Sequence, residues 1–405
     1  MAAVLALLKL QLHFSEVRSV NEVLDGLEMP LTVIHKVCRT CNEDLDLGLC
    51  SPECEETLDE SYVSASLRTQ LQHVLEGEAV FQPDTTNYRP NNRISDITDG
   101  EAYRTCHTRS RERLELRSDD DVLVTLILNT DGLVVNKSGC ESAWPVFASI
   151  AEILPGRRFM NDKILNLSLW QGGGKPSIEL LLADLDAAIE EVNVSGESPL
   201  PRLRIVFSTG RDALCATRRC KEVAEFERRL LSFQPPAKFT RLPRKIKVAQ
   251  YKANEFRALI NHYSVHCLDG LLPKKYLDHW RLFVSAYKTA CSGSIHPTEL
   301  LGVGKLLAKF ADETVILYDK NMCGISIHSL VYMHEMVQMW GALWAYSLFP
   351  FEKKNGWITR HCHAKISILR SVMMALTGSQ VLRQAERLIT VKAERRLLNK
   401  LPGKR

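Results

Sequence analysis

Four cysteines near the amino end, Cys38, Cys41, Cys50 and Cys54, are spaced as C-x2-C, eight residues, then C-x3-C. Two such knuckles supply the four thiolates of a closed tetrahedral structural zinc site, which leaves no position for a substrate. Disulfides are the alternative for these thiols. Against them stand an amino end without a convincing secretory signal and the scatter of the other eight of the twelve cysteines without a pairing pattern. A second chemistry centres on Asp131. The stretch Asp121–Ser138, DVLVTLILNTDGLVVNKS, is a nearly unbroken apolar run that closes on this one acid. A carboxylate at the end of a buried strand offers hard oxygen ligands to Mg2+ or Mn2+.

The elements that must position these groups can be read from periodicity. Val122–Leu128 is short and rich in Val, Leu and Ile, which predicts a buried strand, and Leu133–Val135 is predicted as its antiparallel return across an Asp-Gly turn. On this local view Asp-Gly supplies turn geometry alone. Further along come an apolar run at Ile164–Trp170, an amphipathic helix at Glu179–Val192 and a last run at Leu203–Ser208. Strand, strand, strand, helix, strand is the order of RNase H-like nucleotidyl-transfer domains. There, acids at adjacent strand ends hold two divalent metals about 3.5–4 Å apart, which activate the attacking oxygen and stabilise the leaving one. Asp131 is the candidate first acid, and Asp212, four residues past the last run, the candidate second.

Several segments, in order along the chain, resemble the transposases of CACTA-type (EnSpm-like) DNA transposons in their animal form. They are the Cys38–Cys54 cluster, LILNTDG with Trp144-Pro145 behind it, Gly174-Lys175-Pro176, LLSFQPPAKFTRLPR at Leu230–Arg244, YKANEFRALINHY at Tyr251–Tyr263, and GALWAYSLFPFEKKNG at Gly341–Gly356. The resemblance implies a DDE-type transposase that cleaves and joins DNA strands in the nucleus. Its acids would be Asp131, Asp212 and, from the FPFE segment, Glu352. Mg2+ or Mn2+ would be its catalytic metal, transposon ends its partner, and self-association is compatible with it. The family's C-D-A-P-A-R strand, its Cys/His knuckle and a D-Y-M-H-like stretch have no counterpart here, where FSTGRDALCATRRC passes almost directly into KEVAEFERRLLSF. The chain thus reads as an internally shortened member. The second reading is a non-catalytic relic that binds nucleic acid or protein.

The expected fold class is α+β, with an N-terminal zinc ribbon, an RNase H-like mixed sheet and a large all-helical C-terminal part. Its expected divisions are 1–77 (N-terminal helix and zinc ribbon), 78–120 (polar linker), 121–220 (RNase H-like segment), 221–348 (helical insertion) and 349–405 (C-terminal helices with the third acid). The ribbon is expected to pack on a helix from Ser61 to Leu75, with Val63, Leu67, Leu71 and Leu75 on one face. Phe256–Tyr263, Tyr276–Tyr287, Thr298–Phe310 and Ser329–Leu343 repeat apolar residues at three and four, as a helical bundle does.

With 405 residues, 45% of them hydrophobic, the chain can bury substantial cores. Its net charge of +4 is small, but basic residues group at Arg104–Arg117, Arg241–Lys247 and Lys392–Arg405, where they offer phosphate contacts or a nuclear import signal. The opening MAAVLALLKLQLHF is broken by Lys9 and reads as a packing helix. Val331–Phe351 carries His334, Glu335 and Gln338, which argues against a bilayer span and for a buried helix that Pro350 ends. QGGGK at Gln171–Lys175 lacks the Ser or Thr of a phosphate loop and is a turn. His328 and His334 fall on different helix faces, and His361-Cys362-His363 has no fourth ligand nearby.

Overall fold

The chain is seen in a computed structural model. It describes residues 32–38, 59–75, 93–114, 122–134, 142–172, 202–206, 220–236, 241–246, 251–318 and 324–361, with Cys54, Pro176, Leu369, Val372 and scattered positions between 182 and 192. In chain order these form strands β1 (Thr32–Cys38) and β2 (Asp59–Ala65), then helices α1 (Leu67–Leu75) and α2 (Glu101–Arg113). Strands β3 (Leu123–Thr130), β4 (Leu133–Val134), β5 (Ser142–Ile150), β6 (Leu165–Gly172) and β7 (Arg202–Val206) follow. The later helices that matter below are α3 (Lys274–Ala290), α4 (Pro297–Leu317), α5 (Met333–Trp340) and α6 (Phe349–His361). The class is mixed α+β, as expected.

The chain divides into two compact units. The first gathers 1–82, 116–208 and 350–405 around one sheet of order β1-β2-β6-β5-β3-β7. All its pairings are antiparallel except β3 with β7, which run parallel with Ile127 opposite Val206. One face buries Val124, Leu126, Leu128, Val146, Ala148, Ile150 and Trp170 against α1 and against Leu185 and Val192, both of them helical residues. Even-numbered residues of β3 and β5 face this core, so odd-numbered ones face the other side.

Three expectations need correction. The residues after Asp131-Gly132 are not a return strand. Thr130 lies opposite Val146 and Leu133 opposite Ala143, so β3 and β4 pair with β5 in one unbroken register and form a single strand line with a gap. The true antiparallel partner is β5, which the sequence reading did not single out and which carries Pro145 inside its apolar run. Secondly, Ser61–Ala65 is strand and not helix; only Leu67–Leu75 is helical. Ser66 explains the switch, because its Oγ accepts from Thr69 N at 3.2 Å and caps the helix there. Thirdly, Val331–Phe351 is not one helix. α5 stops at Gly341, whose φ of +85° suits glycine and where any Cβ would collide with the Asp96 carbonyl. Pro350 lies at the start of α6 rather than ending a helix, as expected of a residue whose missing N–H costs nothing in a first turn.

The second unit, 83–115 with 209–349, is built from helices. Phe283, Val284, Leu300, Val303, Leu307 and Phe310 pack α3 on α4. Within 78–120, read from sequence as a linker, Glu101–Arg113 is helical and only Tyr103 and His107 of it are buried. So thin an apolar stripe is hard to see among its arginines. The opening apolar stretch and the basic tail lie outside the described residues.

Candidate functional site

Asp131 occupies the gap in the β3–β4 line. In the shared register Asp131 and Gly132 fall opposite Pro145 and Trp144. Proline has no N–H to give the ladder, so pairing lapses where Asp131 stands. Glycine is required next to it for a different reason: a Cβ on Gly132 would come within 2.8 Å of the Trp144 indole. That indole is held by its Nε1, which donates to Ser142 Oγ at 3.3 Å. The outcome is an exposed carboxylate just past the end of an interior strand, on the odd-numbered face with Asn129 and Phe147.

α6 lies on that face. Phe351 stacks on Phe147 at 6.5 Å between ring centroids and meets Phe159 edge-on at 5.8 Å. Lys354, 3% exposed, places its Nζ over the Phe147 ring at 5.0 Å and donates to Ile164 O at 3.0 Å. Further along, Leu369 N donates to Gln171 Oε1 at 3.3 Å. Glu352 is exposed in the first turn of α6, where the helix dipole favours a carboxylate.

The sheet beneath α6 is unusually polar. Asn129, Phe147 and Asn166 form one row across β3, β5 and β6. At this row β6 carries a bulge, for Val146 pairs with Ser168 but Phe147 with Asn166. A bulge leaves backbone groups without ladder partners. Gln70 of α1 supplies them: its Oε1 accepts from Asn166 N at 2.8 Å and its Nε2 donates to Asn166 O at 3.0 Å. Nearby corners are pinned by buried charges. Glu152 accepts from Thr125 N at 2.9 Å, Arg158 donates to the Ile153 and Ala151 carbonyls, and Lys163 Nζ donates to Val74 O at 3.1 Å. By contrast, the amide oxygens of Asn129, Asn166 and Asn355 are buried with no hydrogen-bond partner among the described residues.

Of the cysteine set, Cys38 ends β1 and lies opposite Asp59, the first residue of β2. The connection carrying Cys41, Cys50 and Cys54 therefore leaves and re-enters the sheet at one place. Cys38 is fully buried and Cys54 partly so, while Cys41 and Cys50 lie outside the described residues. The hairpin is not free-standing, because β2 also pairs with β6. On it His35 stacks on Tyr62 at 4.4 Å, and Asp184 Oδ1 accepts from Tyr62 Oη at 3.3 Å while its Oδ2 lies 3.3 Å from His35 Nε2.

Asp131 and Glu352 thus belong to one unit, on a strand and a helix that share a sheet face. Asp212 lies outside the described residues. Among the described residues no three His, Cys, Asp or Glu side chains gather as a metal-binding group. No described helix is long and apolar enough to cross a membrane. Of the basic runs, Arg244 is committed internally: it grips Glu255 through two hydrogen bonds of 2.7 and 2.9 Å and holds that carboxyl down at about 2. Arg109 and Arg113 of α2 are exposed. Sequence reasoning missed Asn129 and Asn355, although both stand within three residues of a candidate acid. Neither models of known protein families nor curated proteins match this sequence.

Proposed function

We propose that this chain is a transposon-derived protein with the sheet of an RNase H-like, DDE-type DNA transposase of CACTA kind, and that its sheet unit cleaves phosphodiester bonds with a divalent metal. One observation carries the reading. An interior strand, β3, has antiparallel neighbours leading away on one side and the parallel β7 at the edge on the other, and the exposed acid that follows it shares a face with the helix that bears Glu352. The strand order β6-β5-β3-β7, with helical residues between β6 and β7, supports the RNase H-like reading.

In this reading Asp131 and Glu352 would hold Mg2+ or Mn2+ as first and third acids, with Asp212, further along the chain than β7, as the second. The metal, when bound, would stabilise charge on the attacking and leaving oxygens. The chain's own contribution is rigidity. Pro145 and Trp144 fix the gap from which Asp131 projects, and Phe351 and Lys354 fix the helix that bears Glu352, as a site tolerant of only about 0.5 Å requires. The four cysteines would hold structural Zn2+ at the mouth of the β1–β2 hairpin; four soft thiolates on one connection suit that ion. DNA ends would be the partner, exposed arginines such as Arg109 and Arg113 the phosphate contacts, and the nucleus the compartment.

The test is nicking of supercoiled plasmid by the zinc-loaded chain with Mn2+ or Mg2+, beside Asp131→Asn and Glu352→Gln. Metal-dependent nicking that both substitutions abolish is expected. A folded protein that never nicks would leave the second reading, a non-catalytic DNA- or protein-binding relic.

A further inference from the structure

The orphaned amides beneath α6 call for a physical explanation. A buried amide oxygen without a hydrogen-bond partner has given up its hydration for nothing, and such atoms are uncommon in native interiors. Here two of them flank the candidate acids. Asn129, 9% exposed, precedes Asp131 by two residues, the spacing that keeps side chains on one side of a strand, and the register is the same before and after the gap. Asn355, 6% exposed, follows Glu352 by three residues on α6, the spacing of helical neighbours. The two elements meet at Phe147, which is the cross-strand neighbour of Asn129 and touches both Phe351 and Lys354. Phe351 is one turn before Asn355, and Lys354 is adjacent to it.

Amide carbonyl oxygens are ordinary ligands of hard divalent cations, beside carboxylates. We infer that Asn129 and Asn355 are metal-site residues: their amide oxygens face the same cation as Asp131 and Glu352, directly or through one water, and have no partner among the described residues because that is their use. This rests on the reading of Asp131 and Glu352 as metal-binding acids and extends it to two neutral oxygens. A neutral donor beside each acid adds coordination without adding negative charge, so the set keeps fewer like charges apart than four carboxylates would. It also sets the site deeper than two exposed carboxylates could alone. Asn166, in the same row but two strands from the Asp131 strand, is not part of the set and serves as the internal control.

The experiment measures Mn2+ binding to the full zinc-loaded chain from the paramagnetic resonance signal of free Mn2+, together with Tm in the presence and absence of Mn2+. Wild type is expected to bind Mn2+ and to melt higher with it, and Asp131→Asn and Glu352→Gln to lose both effects. Asn129→Leu and Asn355→Leu are expected to weaken Mn2+ roughly tenfold or more, the range for groups supporting a metal site. Without Mn2+ the same two variants should melt at or above the wild-type temperature, because an orphaned polar atom has gone. Asn166→Leu should leave Mn2+ affinity unchanged. Asn129→Asp and Asn355→Asp, which keep both shape and a ligating oxygen, should bind Mn2+ at least as tightly as wild type and cover the case in which a leucine variant does not fold. Leucine variants that bind Mn2+ like wild type, while Asp131→Asn does not, would overturn this inference and leave the acids in place. A wild-type chain that binds no Mn2+ would overturn the reading of the acids themselves, and this inference with it.

Discussion

His279 of the helical unit and Asn129 of the sheet unit are both polar side chains sealed from water, and they are treated in opposite ways. His279 Nε2 donates to Phe310 O at 2.9 Å, which leaves Nδ1 to accept from Tyr318 Oη at 3.3 Å, while its ring stacks on Phe310 at 4.3 Å. Every polar atom of the ring is used, and the residue joins α3 to α4. Asn129 keeps an amide oxygen with no partner among the described residues, beside an exposed acid, on a strand interrupted opposite a proline. Satisfied burial marks a residue that holds the fold. Unsatisfied burial, where the sequence also breaks its own strand, marks a place at which the fold gives up stability for something else.

The contrast can be broken at several points. His279→Ala should be the costliest change, at about 3 kcal/mol from lost stacking and hydrogen bonds together, measured by thermal or denaturant unfolding. A loss under about 1 kcal/mol, the worth of a single hydrogen bond, would show that the helical unit does not depend on it. Gly132→Val forces a side chain into the Trp144 indole and should cost about 2 kcal/mol, with Trp fluorescence shifting as the ring is displaced. An unperturbed emission spectrum would mean that the gap beside Asp131 is softer than described.

Glu255→Gln removes the carboxylate that Arg244 grips and that also accepts from Lys252 N at 2.8 Å, for about 1–2 kcal/mol. Its pH dependence has a definite sign. The folded carboxyl sits at about 2 against an ordinary 4.5, so its contribution is complete above 4.5 and drains away as pH falls toward 2. The wild-type chain and the Glu255→Gln variant should therefore differ in Tm near neutral pH and converge as the buffer approaches the folded value of about 2; a constant difference would refute the pairing. Smallest and opposite in sign, Asn129→Leu should stabilise the metal-free chain by about 1 kcal/mol. If it destabilises by several, Asn129 resembles His279 after all, and the contrast fails.

Much of the frame was legible in the residues. β3, β6 and β7 lie within a residue or two of the runs that predicted them, and the helical period from 253 onward is realised in α3 and α4. Asp131 was legible as a lone acid at the end of an apolar run. What misled was local chemistry with two solutions. Asp-Gly serves a hairpin turn, but here the glycine answers the approach of an indole twelve residues away, which no short window around residue 132 contains. Pro145 interrupts the apolar run of β5, yet it is tolerated there because the partner strand has its gap opposite. Pro350 read as a stop because the helix expected before it had already ended at Gly341, for a steric reason supplied by Asp96. The amides of Asn129 and Asn355 could not be singled out at all, since an asparagine in a sequence carries no mark of whether its partners will be met.

The sequence by itself determined where β3, β6 and β7 lie to within two residues, the helical period of the second unit, the thiol spacing and the types of group available for metal. These are one-dimensional properties, set by spacing and side-chain chemistry along the chain. Only the tertiary structure decided that Asp131 stands in a gap rather than a turn, that the cysteine-bearing hairpin is hydrogen-bonded into the main sheet, and that Glu352 sits in the first turn of a helix lying on the same face as Asp131. Those depend on which strand pairs with which and in what register, and pairing energy comes from residues far apart in sequence.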